Sequence, residues 1–101
     1  MPTRIIRPGE NIRLRYRVPN SRVVEFEIDA DRPVKSYVLR TKGLELFDEG
    51  SDRFKYYGGF PEARRKQHQE LVLPFDEGPW WLLIVNPSKD HSVQVFYDVS
   101  Y

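Results

Sequence analysis

Arg64, Arg65 and Lys66 form the one locally basic run of the chain, and Phe54, Tyr56, Tyr57, Phe60, Trp80 and Trp81 bracket it in sequence. Rings that stack on bases, beside cations that track a phosphate backbone, are the ingredients of a single-strand nucleic-acid or anion site. The same rings can instead fill the core of a small domain while the basic run stays solvated, and large aromatics are usually packed. The structural reading is therefore favoured. Trp80 and Trp81 are adjacent, so on a strand they point to opposite faces. An exposed Trp81 would mark an interface, whereas a Trp81 covered by the Gly58-Gly59 loop would be structural. The candidate binding set is Tyr56, Tyr57, Phe60, Arg64, Arg65, Lys66 and Trp81.

Other chemistries have thinner support. His68 and His91 are far apart and flanked by polar residues, short of the three or four closely set ligands a zinc site needs. The acidic stretch Asp48-Glu49-Gly50-Ser51-Asp52 lacks the alternating oxygen ligands and distant Glu of a calcium loop, and reads as a turn. No serine sits in a Gly-x-Ser-x-Gly elbow. Asp76-Glu77 lies beside Gly78-Pro79 in a turn, and Gly58-Gly59 lacks the Gly and Lys-Ser/Thr of a phosphate loop. With no cysteine, thiol nucleophiles, thiolate metal sites and disulfides are excluded. The expectation is a protein that is not an enzyme, without metal or cofactor.

The elements that position these residues read as strands. Ile12, Leu14, Tyr16 and Val18 alternate with Arg13, Arg15 and Arg17; Val24, Phe26, Ile28 and Ala30 alternate with Glu25, Glu27, Asp29 and Asp31. Folded about Ser21 as a hairpin, these runs would set Arg17 against Glu25, Arg15 against Glu27 and Arg13 against Asp29. Each pair would contribute roughly 0.2–1 kcal/mol. The rival arrangement puts the two runs in different sheets and leaves the arginines free. Arg32-Pro33 is read as the end of that pair. Further strands are expected at Val34–Arg40, Leu44–Phe47, Phe54–Tyr57 and Gln69–Leu73. The segment Phe60–Gln69 is expected to be a loop with at most a short helical turn, and no amphipathic helix is expected.

Gly78-Pro79-Trp80-Trp81-Leu82-Leu83-Ile84-Val85-Asn86-Pro87 is a short unbroken apolar run with β-branched and aromatic residues. It predicts a central strand covered on both faces. The last strand, Val93 to Tyr101, is expected to pair antiparallel with Trp81–Val85. The Gly58-Gly59 pair implies positive φ or close approach of another backbone. Seven or eight strands in 101 residues predict a single all-β domain over residues 1–101, an antiparallel β-sandwich of jelly-roll type, with a barrel as the alternative.

The C-terminal half, over roughly residues 54–99, resembles a small bacterial β-sandwich family of unknown function whose members occur alone or fused to TIR signalling domains. Phe54-Lys55-Tyr56-Tyr57-Gly58-Gly59, a Val/Leu strand ending at Pro74, and Gly78 with Trp80-Trp81 carry the resemblance. Asn86-Pro87-Ser88-Lys89-Asp90 stands where that family has a Gly-rich turn, and the Gly59–Leu71 segment is longer and more basic. A looser similarity exists to β-sandwich modules appended to secreted peptidases and trafficking proteins. Both resemblances imply an accessory or interaction domain, and neither supplies catalytic residues.

The formal net charge of +1, from 16 basic and 15 acidic residues, argues against non-specific polyanion binding. The absence of a signal-peptide core or of a run of about 20 apolar residues predicts no membrane association, and with the missing cysteines a cytoplasmic protein. The functional expectation is a module that binds a protein partner or itself as a homodimer. Nucleic-acid or anion binding through the basic, aromatic-flanked segment is the alternative.

Overall fold

A computed structural model describes residues 2–101. Over these residues the fold is all-β with one short helix: a single antiparallel sheet of six strands curled into a half-barrel. In chain order the elements are β1 (Thr3–Ile6), β2 (Asn11–Arg17), β3 (Val23–Leu39), α1 (Thr41–Asp48), β4 (Gly58–Val72), β5 (Pro79–Val85) and β6 (Val93–Ser100). No helix among the described residues is long and apolar enough to cross a membrane.

The 17-residue β3 organises the sheet. One of its edges pairs with β4 along both halves of its length. Its other edge pairs with β6 over Glu25–Ala30 and then with β5 over Lys35–Leu39. β1 lies outside β6 and β2 outside β5, giving the order β1-β6-β3-β5-β2. The two halves face each other across one concave core containing Phe26, Ile28, Trp80, Leu82, Ile84, Val93 and Val95.

The bend in β3 has a visible cause. Between the registered pairs Asp29↔Lys66 and Val34↔Arg64, β3 carries Ala30–Pro33 against Arg65 alone; then β4 carries Pro61–Ala63 against Lys35 alone, before Ser36↔Phe60. Each bulge contains a proline, which cannot donate to a ladder and is tolerated at such irregularities. Arg32-Pro33 therefore bends a strand instead of ending one. The carbonyls freed at the corner are satisfied from inside by buried Gln67. Its Nε2 donates to Val34 O (2.8 Å) and Arg64 O (3.4 Å), while its Oε1 accepts from the Ser36 hydroxyl. Ser36 Oγ in turn accepts from the Phe60 amide at 3.0 Å. Gly59 has φ +105°, and a Cβ there would collide with the Ser36 carbonyl, so positive φ and close backbone approach both hold.

Further expectations fail in the pairing of the strands and in their bounds. The two alternating runs are not a hairpin: β2 pairs with β5, setting Arg13 opposite Leu83, Arg15 opposite Trp81 and Arg17 opposite Pro79. That register packs Ile12, Leu14 and Tyr16 beside Ile84, Leu82 and Trp80 on the core side. The acidic half of β3 has no edge left for β2, because β4 pairs along one side of it and β6 along the other. The last strand pairs with β1 and β3 and not with β5. The basic segment read as a loop lies within β4, whereas Phe54–Tyr57 is not a strand.

The stretch read as a fourth strand is α1, in spite of the Leu-Glu-Leu-Phe alternation. Leu44 and Phe47, three apart, share a helix face and pack on the sheet. The helix closes in a Schellman motif: Gly50 (φ +79°) donates to Phe47 O and Ser51 donates to Leu46 O, each at 3.0 Å. The supposed acidic turn is thus a helix C-terminus.

Candidate functional site

The outward side of β3 changes character along its length. Tyr37 and Leu39 point outward in the second half and are buried, because α1 and the loop after it lie over them. This second cluster joins Tyr37, Leu39, Leu44 and Leu83 to Phe47, Phe54, Trp81 and Val85. Tyr37 makes edge-on ring contacts with Phe54 (5.1 Å) and Tyr56 (5.3 Å), and Phe54 with Phe47 (5.6 Å). Trp81 Nε1 donates to Thr41 Oγ1 at 3.2 Å. Arg13 Nη1 and Nη2 clamp Asp48 at 2.7 and 2.8 Å, fastening the helix to β2. The guanidinium holds the Asp48 carboxyl below its usual range.

In the first half the same side of β3 is uncovered. Glu25, Glu27 and Asp29 alternate outward from the buried Val24, Phe26 and Ile28. Beside them on β6 lie Asp98, opposite Glu27, and Phe96, opposite Asp29; on β4 lie Glu70, opposite Glu25, His68, opposite Glu27, and Lys66, opposite Asp29. The face carries five carboxylates against one lysine and one histidine. Its cation–anion contact within 4 Å among the described residues is His68 Nε2 to Glu25 Oε2, at 2.9 Å. The hydrogen bond to Glu25 raises the His68 pKa, and the charges of Glu25, Glu27 and Glu70 add to this.

Two directly opposed carboxylate pairs, Glu25↔Glu70 and Glu27↔Asp98, oppose folding, since like charges across a ladder destabilise it. Glu27, Asp29, Lys66, His68 and Phe96 line a wide, open cleft of about 600 Å³. Phe96 in the cleft is 40% exposed, and farther out on the same sheet side Ile5 of β1 is 67% and Val72 of β4 61% exposed. Among the described residues no group of three His, Asp or Glu side chains could hold a metal ion.

The candidates from sequence do not form one patch. Trp81 belongs to the covered cluster, under α1 instead of under the Gly58-Gly59 loop, whereas Tyr56 touches the Tyr37 ring from outside and is 43% exposed. Tyr57 packs edge-on against Phe75 (5.2 Å), with Lys55 Nζ over its ring at 5.2 Å. Phe60 turns into the concave core beside Phe26, and the Arg64 guanidinium lies 5.0 Å above its ring. Arg65 and Lys66 are exposed, and Lys66 lines the acidic cleft. The acidic face was missed because its β3 carboxylates were assigned to the arginines of β2. The available signal was Phe96, an aromatic in the polar phase of the last strand.

The sequence matches no protein-family model, and no curated protein matches it.

Proposed function

We propose that the chain is a non-catalytic, sandwich-like interaction module that docks a basic protein segment on the open outer face of β6, β3 and β4. The single observation that carries this reading is the set of directly opposed carboxylates, Glu25↔Glu70 and Glu27↔Asp98. They weaken the isolated domain and gain a purpose when a cationic partner lies across them. The exposed Phe96 and Ile5 supply apolar contact at the rim of the same face. Both sequence resemblances, to sandwich domains found alone or beside TIR domains and to modules appended to peptidases and trafficking proteins, also favour an accessory role.

The alternative, nucleic-acid or anion binding through Arg64, Arg65 and Lys66, has against it the engagement of Arg64 with Phe60 and the carboxylates beside Lys66. One titration separates the two. The purified domain is mixed with a fluorescent oligolysine peptide or a single-stranded oligonucleotide at low and high salt. The peptide binds, with affinity falling as salt rises, and the triple variant Glu27→Gln, Asp29→Asn, Asp98→Asn weakens it about tenfold. Oligonucleotide binding lost on replacing Arg64, Arg65 and Lys66 by Ala would transfer the assignment to the alternative.

A further inference from the structure

Among the described residues β4 is an edge strand: its one ladder is with β3, so its far side carries unpaired backbone groups. From Lys66 to Val72 the register with β3 is unbroken, with no glycine or proline. Just beyond this stretch the Leu73 amide donates to Arg22 O at 2.7 Å, on the β3 side of the chain. Backbone groups alternate in direction along an antiparallel strand. Lys66, His68, Glu70 and Val72 therefore turn their N–H and C=O groups to the open edge. A regular, unpaired edge of this kind is a template for another strand, and lysine there ordinarily discourages pairing. Here the charge pattern changes that outcome.

Lys66-Gln67-His68-Gln69-Glu70 reads as a palindrome with opposite charges at its ends. In an antiparallel pairing of two copies about a two-fold axis at His68, Lys66 faces Glu70 of the second copy and Gln67 faces Gln69, twice over by symmetry. The backbone groups that meet are those left free by β3. Neither Lys66 nor Glu70 forms an ion pair within the chain among the described residues. Glu70 instead sits opposite Glu25, so a cation from a second copy relieves an internal repulsion. Moving the axis to Gln69 would set Lys66 against Val72, and moving it to Gln67 would set Lys66 against His68. The His68 register alone matches both charges.

We infer that the domain forms a symmetric homodimer by antiparallel pairing of its β4 edges about His68, joining two curled sheets into one and making the acidic faces continuous. The contact is confined to one strand edge, so the dimer is weak and concentration-dependent. The inference is independent of the basic partner: the dimer needs the edge, and docking needs the face.

The test uses the purified chain alone, by analytical ultracentrifugation over a concentration series, with circular dichroism as the check on folding. The wild type shifts from 12.0 kDa towards twice that mass as concentration rises. Lys66→Glu and Glu70→Lys each weaken self-association by about tenfold, because both symmetry-related pairs become repulsive. An equimolar mixture of the two folded variants recovers association, since every facing pair is again opposite in charge. A wild type that stays at 12.0 kDa throughout overturns the inference. So does a dimer indifferent to both variants, or a mixture that fails to recover. Oligolysine binding by a strictly monomeric protein would discard the dimer and leave the docking reading intact.

Discussion

Residues 27 and 39 stand on the same strand and the same outward side, yet Glu27 is in water and Leu39 is fully buried. The difference comes from what the chain does after β3. It leaves as α1 and the Phe54–Tyr56 loop, which fold back over the second half of the strand and leave the first half bare. One half of the outer surface has become a second core. The other has kept carboxylates that folding alone does not favour. A small domain that covers one half of a sheet and leaves the adjoining half charged has, on the docking function proposed above, separated stability from recognition along a single strand.

The largest test of that contrast is Leu39→Ala, which should cost about 2–4 kcal/mol as a cavity opens beneath α1. Glu27→Gln, twelve positions earlier on the same side, should instead stabilise by roughly 0.2–1 kcal/mol through lost repulsion with Asp98, measured at a pH above the His68 titration, where Glu27 no longer attracts an imidazolium. Chemical denaturation of both variants reads the difference directly. Equal losses would mean that the first half of the face is structural after all.

A smaller effect is expected at the clasp between α1 and β2. The Asp48 carboxyl is depressed by Arg13, so its contribution is present above the ordinary carboxylate pKa and is lost as pH falls through the lowered one. Asp48→Asn should remove at most about 0.5 kcal/mol near neutral pH, because the pair is largely exposed, and should flatten that part of the acid limb. Stability measured against pH for both proteins checks this.

The smallest effect needs no change in stability to be read. On the open face the His68 pKa lies above its ordinary 6.5. Its contact with Glu25 is therefore complete below that value and fades as pH rises through the raised one. Titration of the imidazole by NMR should show the elevation, and Glu25→Gln should return it towards 6.5. An unshifted His68 in the wild type would dissolve the contact.

Much of this arrangement was legible in the sequence, though not in one piece. The alternations of β2, the first half of β3 and β6, the unbroken run of β5, the opposed tryptophans and the positive-φ Gly59 all follow from local periodicity and sterics. Pairing was not legible, because Arg13, Arg15 and Arg17 fit the β3 acids as well as any local rule can test. Their real neighbours, Leu83, Trp81 and Pro79, lie more than sixty residues away in the chain. Leu44–Phe47 fits a strand by alternation and a helix by spacing, and the cover it provides for Tyr37 and Leu39 decided between them. The carboxylates were visible individually, but the acidic face exists only once β6 is placed beside β3.

That placement also governs the order of assembly. β6, near the C-terminal end of the sequence, lies between β1, near its start, and β3. As the chain emerges from a ribosome, Thr3–Ile6 has no neighbour in the sheet until Val93–Ser100 arrives. The crossing from β5 to β6 is then tied down by buried Asn86, whose Nδ2 donates to Ile6 O, Arg7 O and His91 O at 3.0, 3.2 and 2.8 Å. Nascent chains stalled before residue 93 should thus remain open and protease-sensitive, and the domain should close late, in one step that brings β1 and β6 together.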